Sequence, residues 1–221
     1  MFIGHFGVGL ALKGADKTLS LGLLFIAVQL SDLIYGVNLL TGLEKISIIA
    51  GANPLISAEY IFFPYSHSLV ATLLWAGVVA LIFLGVPFRS SLPKGRTALV
   101  MATAVLSHFV LDAIAHNPDM DLLGNGVYKI GLGLWNYPVA SYTVEALLLI
   151  AGLWIYLSST KSKSFSGKYS VPILSVILLT LNAVNTFILF PTNAENFAIT
   201  MLAVYLGTIV IVFWLDHEQV V

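Results

Sequence analysis

Apolar residues gather along this chain into long runs rather than alternating with polar ones. Five runs of 19 or more residues, 17–40, 66–88, 97–116, 138–160 and 171–190, are long enough to cross a hydrocarbon layer as helices, and a sixth, 197–215, just reaches that length. The segment 1–13 is apolar but too short for an upright crossing. It has neither a basic start nor a small-residue cleavage site, which predicts a retained short helix. The pattern as a whole predicts an all-α fold: a polytopic membrane helical bundle of about six transmembrane helices plus a short N-terminal helix, in one integral membrane domain over 1–221. No repeat of fixed period or low-complexity tract interrupts it. The two long connections, 41–65 and 117–137, carry the turn signals Asn53-Pro54, Pro64, Pro118, Gly124-Asn125-Gly126 and Pro138, and long loops of this kind are disproportionately functional.

Composition sharpens this picture. Of 221 residues 58% are hydrophobic and only 10% charged, and the mean hydropathy of +0.95 lies far outside the range of a soluble domain. The chain has no cysteine, which removes disulfides, thiolate ligands and thiol nucleophiles together.

The ten basic residues are unevenly shared among the connections. Lys13 and Lys17 lie in the first, Arg89, Lys94 and Arg96 in the third, and Lys161, Lys163 and Lys168 in the fifth, against Lys45 alone in the second and Lys129 alone in the fourth. Positive-inside bias places the odd-numbered connections in the cytoplasm, the amino terminus outside and the carboxyl terminus inside. The same bias accounts for Arg89, Lys94 and Arg96 without a nucleic-acid partner. It also predicts that His5, Asp32, His67, His108, Asp112, His116 and Glu145, drawn from five segments, meet in or near the outer half of the membrane.

Three of these recur at four-residue steps: His108, Asp112 and His116. In a helix four residues advance about 6 Å and turn only about 40° past a full revolution, so all three are expected on one narrow face. Three acids, Asp32, Asp112 and Glu145, lie inside apolar runs, where each ionised carboxylate costs on the order of 2.5–3.5 kcal/mol. No Lys or Arg in the interior of those runs offsets them. Protonated carboxyls, imidazolium partners or a metal ion remain. Neutral imidazole with carboxylate suits zinc, or manganese or iron, whereas an all-oxygen set would suit magnesium or calcium.

Plainer readings stand beside these. A lone intramembrane His5 would hydrogen-bond a neighbouring helix. His67, in Ser66-His67-Ser68, would mark an interfacial helix start with Ser66 near the cap. His116 and Asp119, beside Pro118, would end a helix and turn the chain. Asn182 and Asn185 would bond between helices, and Trp135, Tyr137, Tyr142 and the segment 60–65 would form an interfacial aromatic belt.

Four short blocks, Gly4-His5-xxx-Gly9, Leu30-Ser31-Asp32, Ser66-His67-Ser68-Leu69 and Leu106-Ser107-His108-xxx-Asp112, resemble in order those of the prokaryotic membrane-bound metal-dependent hydrolase-like family, the LexA-associated inner-membrane hydrolases. The likeness covers roughly the first 125 residues. It implies a metal-dependent hydrolase of the inner membrane, with His5, Asp32, His67, His108 and Asp112 holding the metal. Ile34 stands where the family has a second acid, and Phe62, Phe63 and Pro64 where it has His-Arg-Gly, which removes ligands from any second metal.

Three functions compete at this stage. The first is a metallohydrolase acting on a lipid, lipid-linked or envelope substrate, with Glu145, Asp119 or His116 as general base. The second is a proton- or ion-coupled transporter, and the third a non-catalytic membrane scaffold. Several hydrolase classes are excluded. There is no HExxH helix, no GxSxG elbow and no cysteine nucleophile, and the Arg and Lys clamp of a His-nucleophile lipid phosphatase falls on the opposite membrane side.

Overall fold

The computed structural model describes residues 1–49, 53–161 and 165–216; Lys163, one of the basic residues counted above, lies outside them. In chain order the described residues form α1 (Ile3–Lys13), α2 (Leu21–Val28), α3 (Leu30–Thr41), β1 (Lys45–Ile48), β2 (Ala58–Phe62), α4 (Pro64–His67), α5 (Leu69–Gly85), α6 (Lys94–Ala115), β3 (Met120–Asp121), β4 (Lys129–Ile130), α7 (Pro138–Ser159), α8 (Phe165–Phe187) and α9 (Ala194–Asp216). The fold is mostly helical. Both long connections, read from sequence as plain loops, pair into short antiparallel hairpins, β1 with β2 and β3 with β4.

Four helices, α6 to α9, are long and apolar enough to cross a membrane, and a fifth crossing forms if α2 and α3 count as one span. Their outer surfaces carry exposed large apolar side chains, among them Leu99, Val110, Leu147, Trp154, Val176 and Val210. A surface of that kind is matched to lipid, and the chain is a membrane protein. The expectation of about six spans is not met in that form. The 17 residues of α5 reach only about 25 Å, and the run 17–40 is broken at Gln29 with a bend of 57°.

The break has a local cause and a use. In an unbroken helix the Val28 carbonyl would accept from the backbone four residues on. Here it accepts instead from His108 Nδ1 at 2.7 Å. Gln29 leaves helical geometry at φ −105° and ψ 7°, and Asp32 falls in the first turn of α3, where the positive end of the helix dipole favours a carboxylate.

The short helix α1 is not peripheral. It runs along α7 and is closed in by α2 and α6, with Ile3, Phe6 and Leu10 buried in the main core beside Phe25, Val105 and Leu149. Close approach depends on glycine. A Cβ added to Gly7 would fall on the Leu148 carbonyl, and one on Gly152 would fall on the Gly7 carbonyl oxygen. Helices in lipid gain most of their cohesion from such backbone-close packing.

Beyond the far end of α1, Asp16 accepts from Thr18 N at 3.1 Å, Ser91 N at 3.2 Å and Ser91 Oγ at 2.8 Å. Burial pushes this carboxyl up, but the hydrogen bonds from Ser90 and Ser91 outweigh it and hold it at about 2. Asp16 thus ties the α1–α2 connection to the loop before α6, about one helix length from His5.

Candidate metal centre

Four separate segments deliver the buried His and Asp side chains. His5 comes from α1, Asp32 from the turn after the break, His67 from the last residue of α4, and His108 and Asp112 from successive turns of α6. The break after α4 is made by Ser68, whose side chain accepts from Ala71 N at 3.0 Å and caps α5. Ser66, expected near that cap, does something else, described below.

Four ligand atoms face one another. His67 Nε2 and His108 Nε2 are 3.4 Å apart. His67 Nε2 lies 3.2 Å from Asp32 Oδ1 and 3.5 Å from Asp112 Oδ2, and His108 Nε2 lies 3.7 and 3.0 Å from the same two atoms. Around a tetrahedral ion with ligand distances of about 2.0–2.1 Å, ligand atoms sit about 3.3–3.4 Å from one another. The observed separations scatter about that value on both sides. The ligand atoms of His67, His108 and Asp112, and those of His5, Asp32 and His108, also form two overlapping groups within 4.8 Å.

Hydrogen bonds behind the imidazoles fix which nitrogen carries the proton. The Val28 carbonyl can only accept, so His108 Nδ1 must donate to it. Ser66 Oγ donates its single proton to Glu44 Oε2 at 2.8 Å and therefore accepts from His67 Nδ1 at 2.7 Å. In the neutral state both Nε2 atoms then present lone pairs inward, towards two carboxylates. Partners of this kind orient metal-bound imidazoles elsewhere.

Glu44 anchors this relay. It is buried and also accepts from Tyr65 N at 2.8 Å, Ser66 N at 3.0 Å and Asn38 Nδ2 at 3.1 Å. We expect Glu44→Gln to lower metal affinity about 10–100-fold, read by competition with a chelator, with helical content unchanged. Unaltered affinity would remove Glu44 from the support of the centre.

His5 sits beside the four-atom set. Its ring stacks on His108 at 3.9 Å between centroids and 7° between planes, and its Nε2 lies 3.2 Å from Asp112 Oδ1. The Met1 nitrogen meets the same oxygen. Asp112 is thereby held through Oδ1 while Oδ2 faces the centre. The Tyr205 hydroxyl lies close to Asp32.

His116 departs from the expected face. The helix α6 ends at Ala115, and His116 is extended at φ −65° and ψ 152°. Asn117, being followed by Pro118, is biased away from helical backbone, which stops the helix here. The His116 ring swings over to Trp135 at 4.2 Å and Tyr60 at 4.6 Å between centroids, 6.3 Å from the His67 ring, with Nδ1 2.9 Å from Asp119 Oδ1. Tyr60 and Trp135 thus roof the site, whereas Tyr137 is exposed.

Glu145 also has a definite task. Its Oε2 accepts from Phe2 N at 2.7 Å and Gly4 N at 3.2 Å, capping the start of α1 from the neighbouring helix. That fixes where His5 stands and leaves Glu145 a poorer general base than expected. Asn182 is fully buried and its amide has no partner among the described residues, so it does not make the expected interhelical bond.

A cavity of about 450 Å³ opens beside the centre. Asp32, His67, Asp112, His116 and Glu145 line its polar end, and α8 and α9 its apolar flank. Tyr35 belongs to this wall too. Its hydroxyl is buried with no partner among the described residues, and its ring meets His67 edge-on at 5.1 Å. Tyr35 lies three residues from Asp32, so helical periodicity alone puts the two on one side of α3. Glu44 and Tyr205, by contrast, have no pattern in the sequence that marks them.

Compared with known proteins, the chain matches no family model, no curated protein and no solved structure.

Proposed function

We propose that this protein is a membrane-embedded metal-dependent hydrolase with one transition-metal ion, zinc in the first instance, held by Asp32, His67, His108 and Asp112. The supporting observation is the set of near-tetrahedral separations, reached with both imidazole lone pairs fixed inward. Separations of 3.5 and 3.7 Å are too long for simple N–H···O pairs. The order of the four sequence blocks points the same way. His5 acts on Asp112 rather than as a fifth ligand, and a single ion accords with Ile34 and Phe62–Pro64 standing where a second would need donors.

A zinc-type ion held there would supply a Lewis acid and a bound water with its pKa lowered to about 7. The chain supplies the rest. Four protein donors fill a tetrahedron, so the hydrolytic water needs a fifth position, and that position would lie on the side where Asp32, His67 and Asp112 line the cavity. His116, its Nδ1 proton directed to Asp119, turns a basic Nε2 to that space and takes a proton from the attacking water. The Tyr35 hydroxyl, without a partner among the described residues, donates to oxygen charge that develops on the substrate. By the bias of basic residues the site opens to the extracytoplasmic side of an inner membrane, with the amino terminus outside and the carboxyl terminus cytoplasmic, and its substrate is a lipid or lipid-linked compound.

A second reading, coupled transport, is favoured by the broken span beside the site. One experiment separates the two. Purified protein is assayed for bound transition metal, for hydrolysis of a lipid-ester and phosphodiester panel before and after chelation, and for proton flux in proteoliposomes. About one metal per chain and hydrolysis abolished by chelation, then restored by zinc, are expected. Metal-free protein with flux lost in Asp112→Asn would replace hydrolysis with transport.

A further inference from the structure

The cavity is asymmetric, and its second half is unused by the chemistry above. From the metal centre it runs between α8 and α9, where Leu181 and Val184 on one helix and Met201 and Val204 on the other line it. Leu181 and Val184 line it and yet are 38% and 37% exposed. Cavity-lining side chains left that accessible mark a place where the wall is open. Both helices are long and apolar enough to span a membrane, so an opening between them would face lipid.

The polar end restricts what can enter. Asp32, Asp112 and Glu145 face it, and no Lys or Arg among the described residues lines the cavity. A head bearing two or more negative charges would meet carboxylates with only the metal to offset them. The neutral side chains of Asn185, Thr192, Asn196 and Thr200 also line it, and the buried Tyr35 hydroxyl has no partner among the described residues. At about 450 Å³ the space has the size of a pocket for a drug-sized molecule and is too small for a whole two-chain lipid.

We propose that the opening between α8 and α9 is a lateral acyl-chain portal. Through it a glycerolipid with an uncharged or singly charged head brings its polar end to the His/Asp centre, with one chain in the slot and the remainder left in the bilayer. This deepens the hydrolase reading by naming its substrate class. Lipid occupancy of the slot is measured without turnover, so the two ideas fail separately.

The test uses the full-length protein in nanodiscs containing a phosphatidylglycerol whose acyl chain bears a diazirine, followed by peptide mapping of the photolabel. Wild-type protein is expected to take the label at 181–185 and 201–204. Val184→Trp, which fills the slot, is expected to cut labelling there at least tenfold while metal content is retained. The control Val210→Trp, at a position 65% exposed on α9, leaves it unchanged. Excess diacylglycerol should displace the label, and a polyprenyl pyrophosphate should not. Label spread evenly over outward-facing residues, equal labelling in Val184→Trp, or equal displacement by the pyrophosphate would each overturn the proposal. Slot labelling in a protein that proves to hold no metal would leave the portal standing and remove the hydrolase.

Discussion

His108→Ala is expected to reduce bound metal from about one equivalent to less than a tenth. His108 occupies one vertex of the four-atom set, 3.0 Å from Asp112 Oδ2 and 3.4 Å from His67 Nε2. Its removal leaves three donors and a gap where an imidazole stacked on His5. The substitution also orphans the Val28 carbonyl, at a cost of about 1–3 kcal/mol, so lost stability alone would not identify the ion. Linkage does. A ligand present at a thousand times its dissociation constant stabilises the folded state by about 4 kcal/mol. Chelation should therefore lower the melting temperature of wild-type protein by several degrees and leave that of His108→Ala in place. Wild-type protein indifferent to chelation, or a variant that keeps its metal, would refute the centre.

What the sequence discloses about this site follows from the price of charge in an apolar run. An acid or imidazole among aliphatic residues stands out, so Asp32, His108, Asp112 and Glu145 can be picked out singly, and alternating basic connections bring them to a common depth. The supporting residues do not stand out, for physical reasons. Glu44 precedes Lys45 in a polar connection, where a solvated acid is ordinary; only the hairpin and α4 bury it. Tyr205 is one aromatic residue in an apolar helix. The end of α2 cannot be seen in a run that is uniformly apolar through Val28, because the Val28 carbonyl gives up its helical bond to a histidine 80 positions away. Periodicity carried His116 one step too far, since it does not register the Pro118 that stops α6. The helical class was legible, whereas the number of crossings depended on the bend at Gln29 and on the length of α5.

The largest effect on stability is expected at a glycine outside the cluster. A Cβ on Gly152 would coincide with the Gly7 carbonyl oxygen, and one on Gly7 with the Leu148 carbonyl. Backbone on both sides cannot rotate away as a side chain can, so Gly152→Leu must drive α1 off α7. Overpacking costs typically about 1–3 kcal/mol and occasionally more, and rigid backbone on both sides puts this contact at the upper end. The displacement also reaches the site, because α1 carries His5 and is seated by Glu145 through the amides of Phe2 and Gly4. Gly152→Leu should therefore lower the melting temperature by several degrees and lose metal as well. Gly14→Ala meets mainly the movable side chains of Ile155 and Ser159 and should be milder. Gly77→Ala, with nothing within 4 Å of the added methyl, should be neutral or gain up to about 1 kcal/mol from helix propensity. If all three variants melt alike and hold the same metal, α1 does not position the centre, and the stack of His5 on His108 is incidental.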